Sequence, residues 1–158
     1  LGVPPQDLER RVEELQAELD EARSEIERLQ QRRARDAFES LLDRVETVVG
    51  TSLVAARVEA PSVDRLREMT DWFRDRLGSG VFALGAVTDG RPILVVSVTP
   101  DVVERGGDAG DMARRIGRVM GGGGGGRPAM AQAGGSKPDK LDEALARAPE
   151  ILEEQLGR

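Results

Sequence analysis

The chain has 158 residues, room for one domain and an appendage, with 39% hydrophobic residues to build a core and 33% charged residues that call for a strongly solvated segment. It contains no cysteine and no histidine, which excludes disulfides, zinc sites with thiolate or imidazole ligands, and histidine-based catalytic triads. The net charge of −6 disfavours nucleic acid as a whole, yet residues 1–49 hold 8 basic and 13 acidic side chains, whereas residues 105–127 hold five arginines against Asp108 and Asp111, and a contact is decided by the local field.

From the N-terminus, Leu8, Val12, Leu15, Leu19, Ala22, Ile26 and Leu29 alternate spacings of four and three, the a/d repeat of a two-helix seam. Pro4 and Pro5 precede it and Asp7 is the expected N-cap. The seam breaks at Arg33 and Asp36. Phe38, Leu41, Leu42, Val45 and Val49 then form a wider apolar stripe suited to a globular core, with Gly50 as the expected helix end. Two partners fit the seam: another helix of a longer parent chain in an antiparallel hairpin, or a second copy in a homodimer through residues 8–29.

Beyond Gly50 the pattern changes. "SLVAARVEA" reads as a strand stopped by Pro61, and "SVDRLREMTDWFRDRL" as a helix started by Ser62 and Asp64. "VFALGAV" and "ILVVSV" are nearly continuous apolar strands, expected to be covered on both faces, and Asp89-Gly90 between them signals a hairpin. A loop and a helix bearing Met112, Ile116 and Val119 follow Pro100; "AMAQA" reads as a short strand, and residues 138–156 as a final helix kinked at Pro149. The expected fold is α/β, a small mixed sheet flanked by helices and preceded by a long N-terminal coiled-coil helix.

The glycines Gly121, Gly122, Gly123, Gly124, Gly125 and Gly126 satisfy GxGxxG trivially. A dinucleotide-binding turn should follow a first strand and open a helix, and here a helix comes first. The phosphate loop of nucleotide hydrolases needs Lys and then Ser or Thr after the last glycine, where Arg127 and Pro128 stand. A flexible linker is the compositional reading. Against it, "RPAMAQAGG" resumes at once, and glycines on both sides of a short strand let another backbone approach closely. Their N–H groups can face phosphate oxygens, with Arg114, Arg115, Arg118 and Arg127 adding charge. The four aromatics, Phe38, Trp72, Phe73 and Phe82, are too few for a base-stacking platform.

"GGGGGGRPAMAQAGG" followed by "LDEALARAPE" resembles the C-terminal region of alanyl-tRNA synthetases, and "RLGSGVFALGAV", "ILVVSVTPDVV" and "DAGDMARRIG" extend the resemblance over essentially the whole chain. A related domain accompanies DHH-type phosphoesterases, but its glycine-histidine motif needs a histidine that is lacking here. The resemblance implies a coiled-coil helix over residues 1–50 and a globular tRNA-binding domain of the DHH-associated type over residues 51–158. It implies a piece that performs no catalysis and holds no cofactor itself. ATP and zinc would belong to the parent ATP-dependent alanine–tRNA ligase, and Leu1 in place of Met fits a C-terminal fragment. The implied partners are alanine-specific tRNA, gripped at its outer corner, and the upstream domains of the parent, with help in coupling charging to editing and in dimerisation. The matching site positions are Gly121 to Gly126, Arg127, and a turn from Gln132 through Gly134 and Gly135. Ala129 stands where the family often has Asp, and Asp108 where His is common, placing a carboxylate near the basic face. A cytoplasmic setting without membrane contact is expected, since no apolar run approaches a membrane span and no signal peptide is visible.

Overall fold

The computed structural model describes Gly2 and residues 4–157. Its contacts divide the chain into two units, the first ending at Ser40 and the second beginning at Leu41. The first is almost entirely one helix, α1 (Pro5–Leu42). Pro5 begins it, where a missing N–H costs nothing, so Asp7, expected as the cap, instead lies in the first turn and complements the helix dipole. Ion pairs at i,i+3 such as Arg11–Glu14 at 3.3 Å and Arg28–Glu25 at 2.6 Å line its solvated surface.

The helix does not run to Gly50 as expected, and the globular unit starts about ten residues earlier than the boundary read from the sequence. After Leu42 the chain turns and forms β1 (Glu46–Val48), which pairs antiparallel with β2 (Thr51–Arg57). The cause is local chemistry: Val45, Thr47, Val48 and Val49 are β-branched and prefer extended backbone when a partner strand is at hand. Val49 and Gly50 close this hairpin with φ of 49° and 71°, the backbone sense of a type I′ turn. The Arg105 guanidinium fastens the turn, donating to the Val49 carbonyl and the Thr51 hydroxyl, each at 2.8 Å.

After β2, α2 (Val63–Leu77) crosses over to β3 (Val81–Thr88), which lies parallel to β2. Ser62 caps α2, its hydroxyl accepting from the Arg65 N–H at 3.2 Å. Asp89 and Gly90 turn β3 into β4 (Arg91–Val98) as expected, with φ of 52° and 74°. A short helix, α3 (Pro100–Glu104), is additional to the expected elements, and α4 (Ala109–Val119) follows it. The glycine run supplies β5 (Gly123–Gly126), and β6 (Met130–Gly134) inserts between β4 and β5, giving a six-stranded mixed sheet in the order β1-β2-β3-β4-β6-β5. The final helix is not one kinked rod. A 3-10 turn (Pro138–Lys140), α5 (Leu141–Leu145) and α6 (Ala148–Leu156) replace it, and Pro149 lies in the first turn of α6, where it starts a helix instead of bending one.

Both sheet faces are covered at the centre. Val81, Ala83, Leu94 and Val96 face α4, α5 and α6 through Met112, Ile116, Leu141, Ile151 and Leu152. On the other face Phe73 of α2 stacks on Phe82, ring centroids 5.7 Å apart, beside the buried Leu66 and Met69. The start of α3 is tied down by Asp101, which accepts hydrogen bonds from the hydroxyls of Ser79 and Thr99. The Ser79 bond, with Thr99 second, holds this carboxyl below its ordinary range.

Two outcomes are expected. A β-branched residue at positive φ costs on the order of 1 kcal/mol, and the Val49 side chain is 47% exposed, so Val49→Asn should raise the melting temperature by several degrees in a thermal scan. Because the folded pKa of Asp101 is depressed, its contribution is complete above the unfolded carboxylate value of about 3.9 and is lost as pH falls through the lower folded value. Asp101→Asn should therefore show a shallower loss of melting temperature than the unaltered chain when both are acidified below about pH 4.

Candidate nucleic-acid interface

The six glycines are ordered, and they are not equivalent. Gly121 turns the chain after α4 with φ of 77°. A Cβ on Gly122 would lie 2.1 Å from the Gly134 carbonyl oxygen, and one on Gly124 would lie 2.7 Å from the Ala113 carbonyl oxygen and 2.6 Å from the Ala133 Cβ. On Gly126 it would meet the Met130 carbonyl oxygen at 2.6 Å. The helix contributes to the same closeness: a Cβ on Gly117 would stand 2.8 Å from the Gly123 carbonyl, and one on Gly110 2.8 Å from the Gly126 carbonyl oxygen. Gly110, Ala113 and Gly117, spaced three and four apart, thus form a stripe with nothing larger than a methyl group, on which β5 lies directly.

Gly123 and Gly125 are different. Nothing lies within 4 Å of the Cβ that either would carry, and neither has a positive φ. Alternation along the strands puts them on the face away from α4. Pairing places Gly123 opposite Gly134 and Gly125 opposite Gln132 on that same face. Gln132 is exposed, while Ala131 and Ala133 point into the core on the α4 side. Gln132 is therefore a strand residue and not part of a turn; the chain leaves the sheet at Gly135, whose N–H donates to the Pro92 carbonyl at 3.2 Å.

Arg114, Arg115 and Arg118 project from the solvent side of α4, the helix that covers the opposite face. Arg115 pairs with Glu154 at 2.7 Å, which holds the guanidinium firmly in its charged form, and lies 3.8 Å from Asp111; Arg114 lies 3.6 Å from Asp111. Arg118 and Arg127 are exposed and make no ion pair among the described residues. A cleft of about 230 Å³ is lined by Arg115, Arg118, Val119, Arg147 and Ile151. Asp108 turns inward on its own helix, capping α4 by accepting from the Asp111 N–H at 3.1 Å. Gln155 of α6 locks this start, accepting from the Asp108 N–H and donating to the Asp108 carbonyl and the Asp111 carboxylate at 3.0–3.1 Å. No group of three or more acidic residues suited to a metal occurs among the described residues.

The structure therefore gathers Gly121 to Gly126, Gln132, Gly134 and Gly135 at one end of the sheet and sets the α4 arginines across the helix from its open face. It also brings in a residue that the sequence does not point to. Arg67 of α2 donates from Nη2 to the Gln132 Oε1 at 2.8 Å, from 65 positions away. Only the packing of α2 on the sheet makes them neighbours.

A family profile described as "DHHA1 domain" matches residues 50–154. The chain belongs to the DHHA1 domain family. It is 46% identical over 157 residues to an alanine–tRNA ligase of Chloroflexus aurantiacus, covering 99% of this chain and 18% of the relative. With an alanine–tRNA ligase of Pelotomaculum thermopropionicum it shares 45% identity over 152 residues, 96% of this chain and 17% of that one. The chain thus spans less than a fifth of the curated relatives it matches. Among solved structures, the C-Ala domain from Aquifex aeolicus alanyl-tRNA synthetase superposes with a TM-score of 0.62 at 31% identity, covering 69% of this chain and 97% of that domain. The chain has the fold expected from the sequence, an α/β mixed sheet with flanking helices, and a long N-terminal helix that precedes the matched residues. No described helix is long and apolar enough to cross a membrane.

The two kinds of glycine are separable by substitution. Gly124→Ala forces a methyl group against backbone and should destabilise the domain by about 1–3 kcal/mol. Gly125→Ala meets open space and removes glycine's entropy cost, so it should be neutral or stabilising by up to about 1 kcal/mol. Denaturant melts of the two variants read the difference directly.

Proposed function

We propose that this chain is the non-catalytic C-terminal module of an alanine–tRNA ligase, binding the outer corner of tRNA mainly through the sugar-phosphate backbone and the shape of the RNA. The observation that supports it most is similarity along nearly the whole chain to ligases of which the chain is under a fifth. A backbone surface built from Gly121 to Gly126, Gln132, Gly134 and Gly135 suits such contacts, because without side chains a sugar-phosphate chain can approach closely, and the β5–β6 register turns the Gly124 and Gly126 N–H groups away from β6. Arg118 and Arg127 supply positive charge that no carboxylate among the described residues pairs with, whereas Arg114 and Arg115 are partly neutralised by Asp111 and Glu154. ATP, zinc, aminoacylation and editing belong in this reading to the rest of the parent enzyme, with this module helping to couple charging to editing.

Oligomerisation is the second reading. Leu8, Val12, Leu15, Leu19, Ile26 and Leu29 form one stripe on α1 and are all 43–57% exposed. An apolar a/d seam left in water favours a helical partner, and a purely structural dimerisation element without RNA contact of its own accounts for that feature alone.

One set of measurements separates the readings. The 158-residue chain should bind an alanine-accepting tRNA transcript at low salt, with affinity falling steeply as salt rises, and Arg118→Glu with Arg127→Glu should weaken it. Absence of binding at low salt leaves only the structural reading. Sedimentation equilibrium of Leu15→Glu with Leu19→Glu should give monomers that still bind tRNA.

A further inference from the structure

We infer that Arg67 on α2 is the guanidinium serving the open glycine face, contacting a phosphate of an RNA strand laid across Gly123 and Gly125, with Gln132 as its positioning residue. This rests on the tRNA-binding reading and adds to it a residue, a face and a direction of approach.

Sterics leave glycine unexplained at two positions. At Gly122, Gly124 and Gly126 a Cβ would strike backbone atoms within the domain. At Gly123 and Gly125 any strand former would fit, and a β-branched residue would strengthen the strand. Their lack of side chains matters only to something that comes from outside. The same sheet face is covered by α2 over β3 and β4 and is uncovered over β6 and β5, where it presents Gly123, Gly125, Gln132 and Gly134. This surface offers bare main chain and one carboxamide, with the half-buried Met130 and Ile93 at its margin, so it suits a polar chain better than an apolar protein face.

Charge selects the polar chain. Arg67 is the cation that reaches this face from α2, its Nη2 held on Gln132 at 2.8 Å. Its other contact, Nη1 to Asp64 at 3.4 Å, is to a carboxylate 88% exposed and well screened by water. A guanidinium has five N–H donors in a planar fork, so donors remain for a phosphate after both contacts are made. Gln132 accepts from Arg67 with its carbonyl oxygen, which leaves its amide N–H groups for the same ligand. Arg114, Arg115 and Arg118 lie on the helix that covers the other face and cannot serve an RNA strand on this one.

The test uses the 158-residue chain and an unmodified tRNA transcript in a fluorescence-anisotropy titration over a salt series. Arg67→Gln should weaken binding about tenfold and lower the log–log salt slope by about one, with Arg67→Lys intermediate. Gly125→Val should also weaken binding about tenfold while its melting temperature stays equal or rises, a result that a merely structural glycine would not give. Arg65→Gln on the same helix, whose guanidinium stacks on Trp72 and pairs with Glu68, should bind as the unaltered chain does. Unchanged affinity in either Arg67→Gln or Gly125→Val, with the fold intact by circular dichroism, overturns the inference and leaves the tRNA reading standing. Failure of the unaltered chain to bind tRNA removes both.

Discussion

The architecture of the globular unit depends on one close approach, that of α4 to β5. Gly117 lies against the Gly123 carbonyl, Ala113 against Gly124, and Gly110 against the Gly126 carbonyl. Packed layers of secondary structure normally stand about 8–10 Å apart because side chains intervene. With no side chain on β5 and nothing larger than the Ala113 methyl on the facing stripe of α4, main chain meets main chain. The edge strand is pinned by its hydrogen bonds to β6 on one side and by the helix on one face, which offsets the entropy that ordering four consecutive glycines costs. Without that contact the sheet would end at β6 and the run would be the linker its composition suggests.

The same contact divides the surface chemistry. Because α4 takes one face of β5, the other is left to solvent, and the pleat decides which glycines lie on it. Gly124 and Gly126 serve the fold, while Gly123 and Gly125 serve whatever reaches the open side. The helix arginines go to the far side, where Glu154 and Asp111 compensate two of them and Gln155 joins α6 to the start of α4. The proposed RNA surface is therefore made of backbone and of Arg67 with Gln132, and the arginine cluster of α4 supplies charge at a distance.

Charge is distributed along the chain in a way that suits this division. The acidic residues are concentrated on α1, where alternating ion pairs along the helix keep a long rod solvated without a core of its own. Its apolar seam is left for another helix, and the first buried residue of α1 is Leu41, where the globular unit begins.

Much of this could be read from the residues alone. Heptad spacing fixed α1, apolar runs bounded by Asp89-Gly90 fixed the β3–β4 hairpin, Ser62 fixed the start of α2, and "RPAMAQAGG" identified the family and argued that the glycine run is ordered. These signals are local, because periodicity, capping and turn chemistry act over a few residues. What lay beyond them needed partners distant in the chain. Val45 to Val49 became a turn and a strand because β2 was there to pair with them, and Pro149 opened a helix because α5 had already ended. The two roles within six identical glycines, and the meeting of Arg67 with Gln132 across 65 residues, could be decided only by the packed sheet, since a residue without a side chain has no character of its own until its neighbours are in place.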